Sequence, residues 1–222
     1  MSAFAVTSEP KKFTIGIVGA TGAVGIEIIS VLHRRDFPLE KLHLFASARS
    51  AGKTSDTPFG AIVIEEFSVE ATAACDYVFL AVSGDFALEF AGKITERGPV
   101  VVDNSSAFRY MNHIPLIVPE INAHVIGSAK LIANPNCTTA IAAVALWPIH
   151  QKYGIKKLIM STYQAASGAG AEGMQELIDG TKEQLEGKAP SHSVFAHPLP
   201  FNLIPHIDKF QVKSPATLWC YL

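Results

Sequence analysis

Over the first 130 residues, short apolar runs alternate with segments of helical period. Phe13–Val18 (FTIGIV) carries one polar residue, Thr14, and has the continuous apolar character of a strand buried on both faces. Val24–Arg35 follows as a helix, with Val24, Ile28, Val31 and Leu32 placed on one face. Leu42–Ala46, Ile62–Phe67, Tyr77–Val82 and Val100–Val102 predict further strands, and Asp85–Arg97 predicts a helix between the last two. Strands that alternate with helices imply right-handed crossovers and a mostly parallel sheet covered on both faces. The expected fold is a doubly wound α/β domain.

The pattern then changes. Cys137–Trp147 predicts a helix that stops before Pro148, and Lys157–Tyr163 predicts a strand. Ala171–Glu186 predicts an amphipathic helix with Met174, Leu177, Ile178 and Leu185 on its apolar side. Gly187–Phe210 carries Pro190, Pro198, Pro200 and Pro205 and reads as an extended loop.

Composition narrows the function classes. The 222 residues are 49% hydrophobic, ample for a core, and the net charge of −2 leaves no footprint for nucleic acid or an anionic membrane. Cys75, Cys137 and Cys220 are too few and too scattered for a disulfide framework or a zinc site, so a reducing compartment and no bound metal are expected. Met1–Lys12 lacks the apolar core of a signal peptide, and the apolar run Ala140–Ile149 is half the length needed to cross a bilayer. The cytoplasm is the expected location.

The first strand runs directly into Gly19-Ala-Thr21-Gly22-Ala23-Val24-Gly25, and the first helix starts inside that stretch. Gly19 permits a tight turn, Gly22 lets the backbone approach a pyrophosphate, and Gly25 allows close packing of helix on strand. The helix N-terminus offers N–H groups and a positive dipole end to phosphates. Strand, glycine turn and helix together predict a Rossmann-type nucleotide site, with three glycines in an ordinary βα turn as the alternative. The second strand ends in Ala46-Ser47-Ala-Arg49-Ser50-Ala-Gly-Lys53, with no acid for ribose hydroxyls. An arginine flanked by serines suits a 2′-phosphate, so NADP is the expected cofactor.

Cys137 sits in Asn134-Pro-Asn-Cys137-Thr-Thr, where an apolar helix begins. A helix N-terminus stabilises the thiolate form, and adjacent N–H groups can stabilise an oxyanion. The local pattern alone leaves open that Cys137 is a buried small hydrophobe, the role that Cys75 fits.

Taken in order, GATGAVG, ASARSAGK, DNSSAFR (Asp103–Arg109), NPNCTT, TYQAASGAG (Thr162–Gly170) and FNLIPHIDKFQ (Phe201–Gln211) closely resemble the aspartate-semialdehyde dehydrogenase family. The related N-acetyl-glutamyl-phosphate reductases are similar more loosely, with an aromatic residue in place of Thr138. The resemblance implies that Cys137 attacks β-aspartyl phosphate to give a thioester, which NADPH reduces to the semialdehyde. It implies that Gln164 positions the substrate, that Ser167 and Gly168 lie at the nicotinamide end, and that Asn104 and Arg109 hold substrate and its phosphate. It also implies a homodimer or larger assembly. The expected organisation is an NADP-binding domain over 1–136, the first part of an α+β catalytic and dimerisation domain over 137–211, and a non-matching tail over 212–222.

The resemblance stops after Gln211. The family's later glutamate, its carboxylate-binding arginine and its general-base histidine have no matching positions. His192, His197 and His206 are poor substitutes as base or metal ligands, since no Cys or carboxylate cluster accompanies them. The second sheet is expected to lose strands and expose apolar surface, and Leu218, Trp219, Tyr221 and Leu222 add hydrophobes at the tail. A truncated or altered reading frame is one expectation. A catalytically silent NADP-binding chain, able to associate with full-length subunits, is the alternative to an enzyme.

Overall fold

The computed structural model describes residues 11–205 and the backbones of the strands Gln211–Ser214 and Thr217–Trp219. His206, the remainder of 206–210 and the side chains of 211–222 lie outside the described residues. The chain divides into two units, Met1–Ile117 with Asn122–Asn134, and Val118–Ile121 with Pro135–Leu222.

The first unit is built on β1 (Phe13–Val18), α1 (Ala23–Arg34), β2 (Leu39–Ala46), β3 (Thr54–Thr57), β4 (Gly60–Glu66), the short α2 (Val69–Thr72), β5 (Tyr77–Leu80), α3 (Gly84–Glu96) and β6 (Val100–Asp103). β7 (Leu131–Ala133) follows, after a four-residue α4 (Pro119–Asn122) that falls mostly in the second unit. The strands form one sheet of seven in the order β3-β4-β2-β1-β5-β6-β7. All neighbours are parallel except β3 and β4, which pair antiparallel. This is the doubly wound, Rossmann-type α/β fold expected from the alternation of strands and helices.

The period of two along the strands sorts side chains into two cores. Ile15, Ile17, Leu42, Leu44 and Ile64 pack with Ile29 and Leu32 of α1 on one face. Phe45, Val78, Leu80 and Val101 pack with Ala87, Ala91 and Ile94 of α3 on the other. The central strand, β1, is thus apolar but for Thr14, because both its faces are covered.

One reading of this unit is corrected, and two strands go unpredicted. The buried stripe of α1 is Gly25, Ile29 and Leu32, whereas Val24 and Val31 of the expected face are exposed. A glycine sets that orientation, because Gly25 abuts the backbone of Gly19 and Ala20 and brings its own side of the helix onto the sheet. Neither β3, whose TSDT lacks apolar alternation, nor the three-residue β7 is foreshadowed by the pattern of apolar positions.

The second unit contains α5 (Cys137–Tyr153), a 3-10 turn over Ala166–Ala169, α6 (Gly170–Leu185) and the antiparallel pair β8 (Gln211–Ser214) and β9 (Thr217–Trp219). Helix α5 does not stop before Pro148 but passes through it. The proline removes one N–H bond, and the helix instead closes at Gly154, whose φ of +69° is the left-handed cap glycine favours. Lys157–Tyr163 is not a strand, and Leu158, Ile159, Met160 and Tyr163 are exposed. A strand exists only through ladder partners, and no described residue pairs with this segment.

The packed face of α6 also differs from expectation. Ile178 and Leu185 are exposed, while Gly173 and Gly180 are buried and meet Phe195 and Pro200. The Pro-rich segment, free of helix and strand over 187–205, is strapped to α6 by carboxylates. Glu176 accepts the N–H groups of Ser193 and Val194 at 2.6 Å and of Phe195 at 3.1 Å. Burial alone would raise the Glu176 carboxyl, but those backbone donors outweigh it and bring it down to about 2.

Because that value lies below the ordinary 4.5, the strap stabilises the fold above pH 4.5 and is lost as pH falls toward 2. Glu176→Gln is expected to lower Tm by a few degrees at neutral pH. The gap from wild type should close on acidification, and melting curves at a series of pH values that keep a constant gap would refute the strap.

Candidate functional site

In the first unit, the groups singled out by sequence gather at the C-terminal ends of parallel strands, where open α/β sheets place ligands. The glycine turn leaves β1 and is pinned to the end of β2, since the N–H groups of Gly19 and Ala20 both donate to the Phe45 carbonyl. Gly19 has φ +85°, and a Cβ there would strike the Ala81 carbonyl. A Cβ on Gly25 would strike the Gly19 carbonyl. Gly22 differs, because its Cβ would meet protein no closer than 3.4 Å. The protein's own packing needs Gly19 and Gly25, whereas Gly22 has room for a Cβ.

Helix α1 starts at Ala23 and Val24 without a side-chain cap and without an acid in its first turn. Thr21 and Val24 are exposed beside it. This is a cradle fit for an anionic phosphate group. After β2, the N–H groups of Ser50 and Ala51 both donate to the Ser47 carbonyl, making a tight turn with Arg49 exposed on it.

The ends of β5, β6 and β7 carry a second cluster. Asp103, fully buried, accepts the Ser105 N–H at 3.2 Å and hydroxyl at 2.7 Å. Asn104 donates its amide to the Leu80 carbonyl and accepts from the Asn134 amide at 2.8 Å. Phe108, seated in the α3-side core, anchors the loop beneath Arg109. The guanidinium is splinted along one edge, with Nε donating to Asn134 O and Nη2 to Asn104 O, each at 2.9 Å. Sequence reasoning picks out Asn104 and Arg109 but misses Asn134 and Asp103 as their supports. Both stand within quoted motifs, but their roles appear only when β6 and β7 are paired.

The second unit holds the thiol. Asn136 caps α5 through Oδ1, which accepts the N–H and the hydroxyl of Thr138 at 2.9 and 2.6 Å. Cys137 is the first helical residue and is exposed. Its Sγ lies 3.6 Å from Gln164 Oε1, so residues 27 apart in sequence meet. A Cβ at Gly168 would run into the Gln164 amide, and the Gly168 N–H bonds the Ala165 carbonyl. The turn bearing Ser167 and Gly168 is therefore shaped to the glutamine side chain. An open groove of about 680 Å³ runs on from Gln164 past Leu177, Leu199, Phe201 and Leu203.

The other sequence candidates stand apart. Cys75 is 6% exposed, and burial, with Glu65 and Asp76 adding to it, pushes its thiol up to about 11. It is the buried small hydrophobe expected. The His192 ring faces the Phe195 carbonyl at 3.1 Å. No cluster of metal-ligating side chains occurs among the described residues, and none of their helices is long and apolar enough to cross a membrane.

Comparison with known proteins identifies the family. The family described as semialdehyde dehydrogenase, NAD binding domain, matches residues 14–129. The one described as semialdehyde dehydrogenase, dimerisation domain, matches residues 146–218. Aspartate-semialdehyde dehydrogenase of a Synechocystis strain is 45% identical over 198 residues, covering 89% of this chain and 59% of that protein. The crystal structure of aspartate semialdehyde dehydrogenase II of Vibrio cholerae complexed with ASA superimposes with a TM-score of 0.84 at 37% identity. It covers 91% of this chain and 61% of that one. The Candida albicans enzyme with NADP gives 0.55 at 30% identity, over 64% of this chain and 48% of that one. The chain thus spans about 60% of the length of the curated relatives it matches.

Proposed function

This chain belongs to the semialdehyde dehydrogenase family, and from that premise we propose that it carries the NADP-binding and thiol halves of an aspartate-semialdehyde dehydrogenase. The reaction is the reductive dephosphorylation of L-aspartyl 4-phosphate to L-aspartate 4-semialdehyde, a step toward lysine, methionine and threonine. The observation that carries the reading is Cys137 at the start of α5 with the Gln164 amide 3.6 Å from its sulfur.

The chemistry assigned to the chain is as follows. Cys137 Sγ, as thiolate, bonds to the substrate's acyl carbon, and the C–O bond to the leaving phosphate breaks. Arg109 holds that phosphate, suited by a planar guanidinium, and Gln164 keeps the carbonyl beside the thiol. The Thr138 N–H is taken by the Asn136 cap, so the other N–H groups that open α5 are assigned to developing charge on the carbonyl oxygen. NADPH, when bound, would supply the hydride that takes the thioester to the aldehyde level, and breaking the C–S bond would restore Cys137.

The cofactor is assigned to Gly19, Thr21, Gly22, Ala23, Val24 and Gly25 for the pyrophosphate, with Ser47, Arg49 and Ser50 for the 2′-phosphate. Ser167 and Gly168 are assigned to the nicotinamide end. Arg49→Ala is expected to weaken NADP binding roughly 10-fold or more, the worth of charge-assisted bonds to phosphate, and to leave NAD binding nearly unchanged. Titration of both nucleotides against both proteins decides this, and an unaltered preference would remove Arg49 from the site.

The activity is tested with L-aspartate semialdehyde, inorganic phosphate and NADP, following NADPH absorbance beside Cys137→Ala. Turnover in wild type that disappears in the variant supports the proposal. NADP binding without turnover in either overturns it in favour of a silent nucleotide-binding chain. Turnover only with the N-acetylated glutamyl homologue would reassign it to the other acyl-phosphate reductases. The family's dimerisation domain makes a homodimer or larger assembly the proposed partner state.

A further inference from the structure

The carboxylate of Asp103 is fully buried at the end of β6, and no step assigned above uses it. We propose that Asp103 is a positioning residue for Arg109, holding the loop that seats the guanidinium; the inference rests on Arg109 being the group that holds phosphate.

The geometry runs outward from the carboxylate. Asp103 takes both the N–H and the hydroxyl of Ser105, and Ser105 Oγ in turn accepts the Ala107 N–H at 3.1 Å. The chain therefore doubles back within a few residues of leaving the strand. That fold-back fixes Asn104, whose carbonyl accepts from Arg109 Nη2, while its side chain bonds Leu80 O and the Asn134 amide. On the neighbouring strand end, the Asn134 N–H bonds the Asp103 carbonyl at 2.8 Å, and the Asn134 carbonyl accepts from Arg109 Nε. Both carbonyls that hold the guanidinium edge are thus tied to Asp103, one through its carboxylate and one through its backbone.

Burial is the largest influence on the Asp103 carboxyl and raises it, against the Ser105 bonds and the Arg109 charge, which lower it. A folded value above the ordinary one means that stability falls as pH rises through that range, and the loss persists at neutral pH. Asp103→Asn keeps the side chain's shape and removes that cost, but its amide nitrogen cannot accept from Ser105, so one of the two bonds that hold the fold-back is lost.

The test measures inorganic phosphate affinity by calorimetry and Tm, both at pH 7, for wild type, Asp103→Asn, Ser105→Ala and Arg109→Ala. Arg109→Ala should weaken phosphate roughly 10-fold or more. Asp103→Asn should weaken it several-fold while Tm stays level or rises, and Ser105→Ala should weaken it in the same direction. A purely structural role predicts the reverse for Asp103→Asn, with lower Tm and unchanged affinity for phosphate per folded molecule, and that result overturns the proposal. Should Asp103→Asn fail to fold, an unchanged affinity in Ser105→Ala overturns it equally. Wild type without measurable affinity, or Arg109→Ala binding like wild type, removes the assignment of Arg109 itself, and the inference falls with it. An effect of Arg109→Ala without any effect of the other two sinks the inference alone.

Discussion

Gly25→Ala is expected to cost the first unit roughly 1–3 kcal/mol through forced overpacking, and Gly19→Ala more, because strained backbone adds about 1–3 kcal/mol there. Gly22→Ala is expected to fold normally yet lose nucleotide affinity. A methyl at Gly25 meets the Gly19 carbonyl and the Ala20 Cα, which are backbone atoms that cannot turn aside. A methyl at Gly19 meets the Ala81 carbonyl, and φ +85° is itself unfavourable for alanine. At Gly22, by contrast, the nearest protein atom is 3.4 Å away, an ordinary contact. What the added methyl occupies there is the approach to the start of α1. Thermal melts separate the first two variants from the third, and an NADP titration shows what the third has lost. A Gly25→Ala protein of native stability, or a Gly22→Ala protein with native affinity, would refute this division of labour.

Iodoacetamide near neutral pH is expected to modify Cys137 at least about 100-fold faster than Cys75. The factor comes from thiolate supply, since lifting Cys75 from 9.0 to about 11 cuts its thiolate roughly 100-fold. Exposure adds to the contrast, because Cys137 is open to reagent and Cys75 is not. Peptide mapping by mass spectrometry assigns each site and keeps Cys220 separate. If Cys137 is the nucleophile, prior alkylation should abolish turnover in step with its modification, to the level of Cys137→Ala. Similar rates at the two cysteines would remove the kinetic basis for the assignment, and full turnover after complete labelling of Cys137 would remove the assignment.

Much of the first unit is legible in the sequence because its signals are local. A strand buried on both faces shows as an unbroken apolar run, and Phe13–Val18 reads with its observed limits. The face of α1 is misread because hydrophobicity favours Val24 and Val31, whereas close approach favours the residue with no side chain, Gly25. β3 and β7 are defined by their neighbours rather than by their own composition, and neither shows in a single run of sequence. The second unit fares worse for the same reason. Lys157–Tyr163 has the composition of a strand but no ladder among the described residues, and Pro148 interrupts a pattern without interrupting α5. At the site, Cys137 and Gln164 stand out from their motifs, but their 3.6 Å separation depends on how the 3-10 turn folds back. Asp103 passes unremarked as a support because its bond to Ser105 reads as an ordinary loop contact until burial is known.

The parallel sheet also has an opposite rim. The N-terminal end of β6 is reached through Arg97, Gly98 and Pro99, and Gly98 is exposed at φ +120° with no atom near enough to crowd a side chain. None of the first-unit groups assigned to ligand lies on that rim, since all leave the opposite ends of the strands. With Gly98 itself kept for its φ, a reporter peptide or surface tether inserted beside it would hold the first unit by the rim away from the proposed phosphate site.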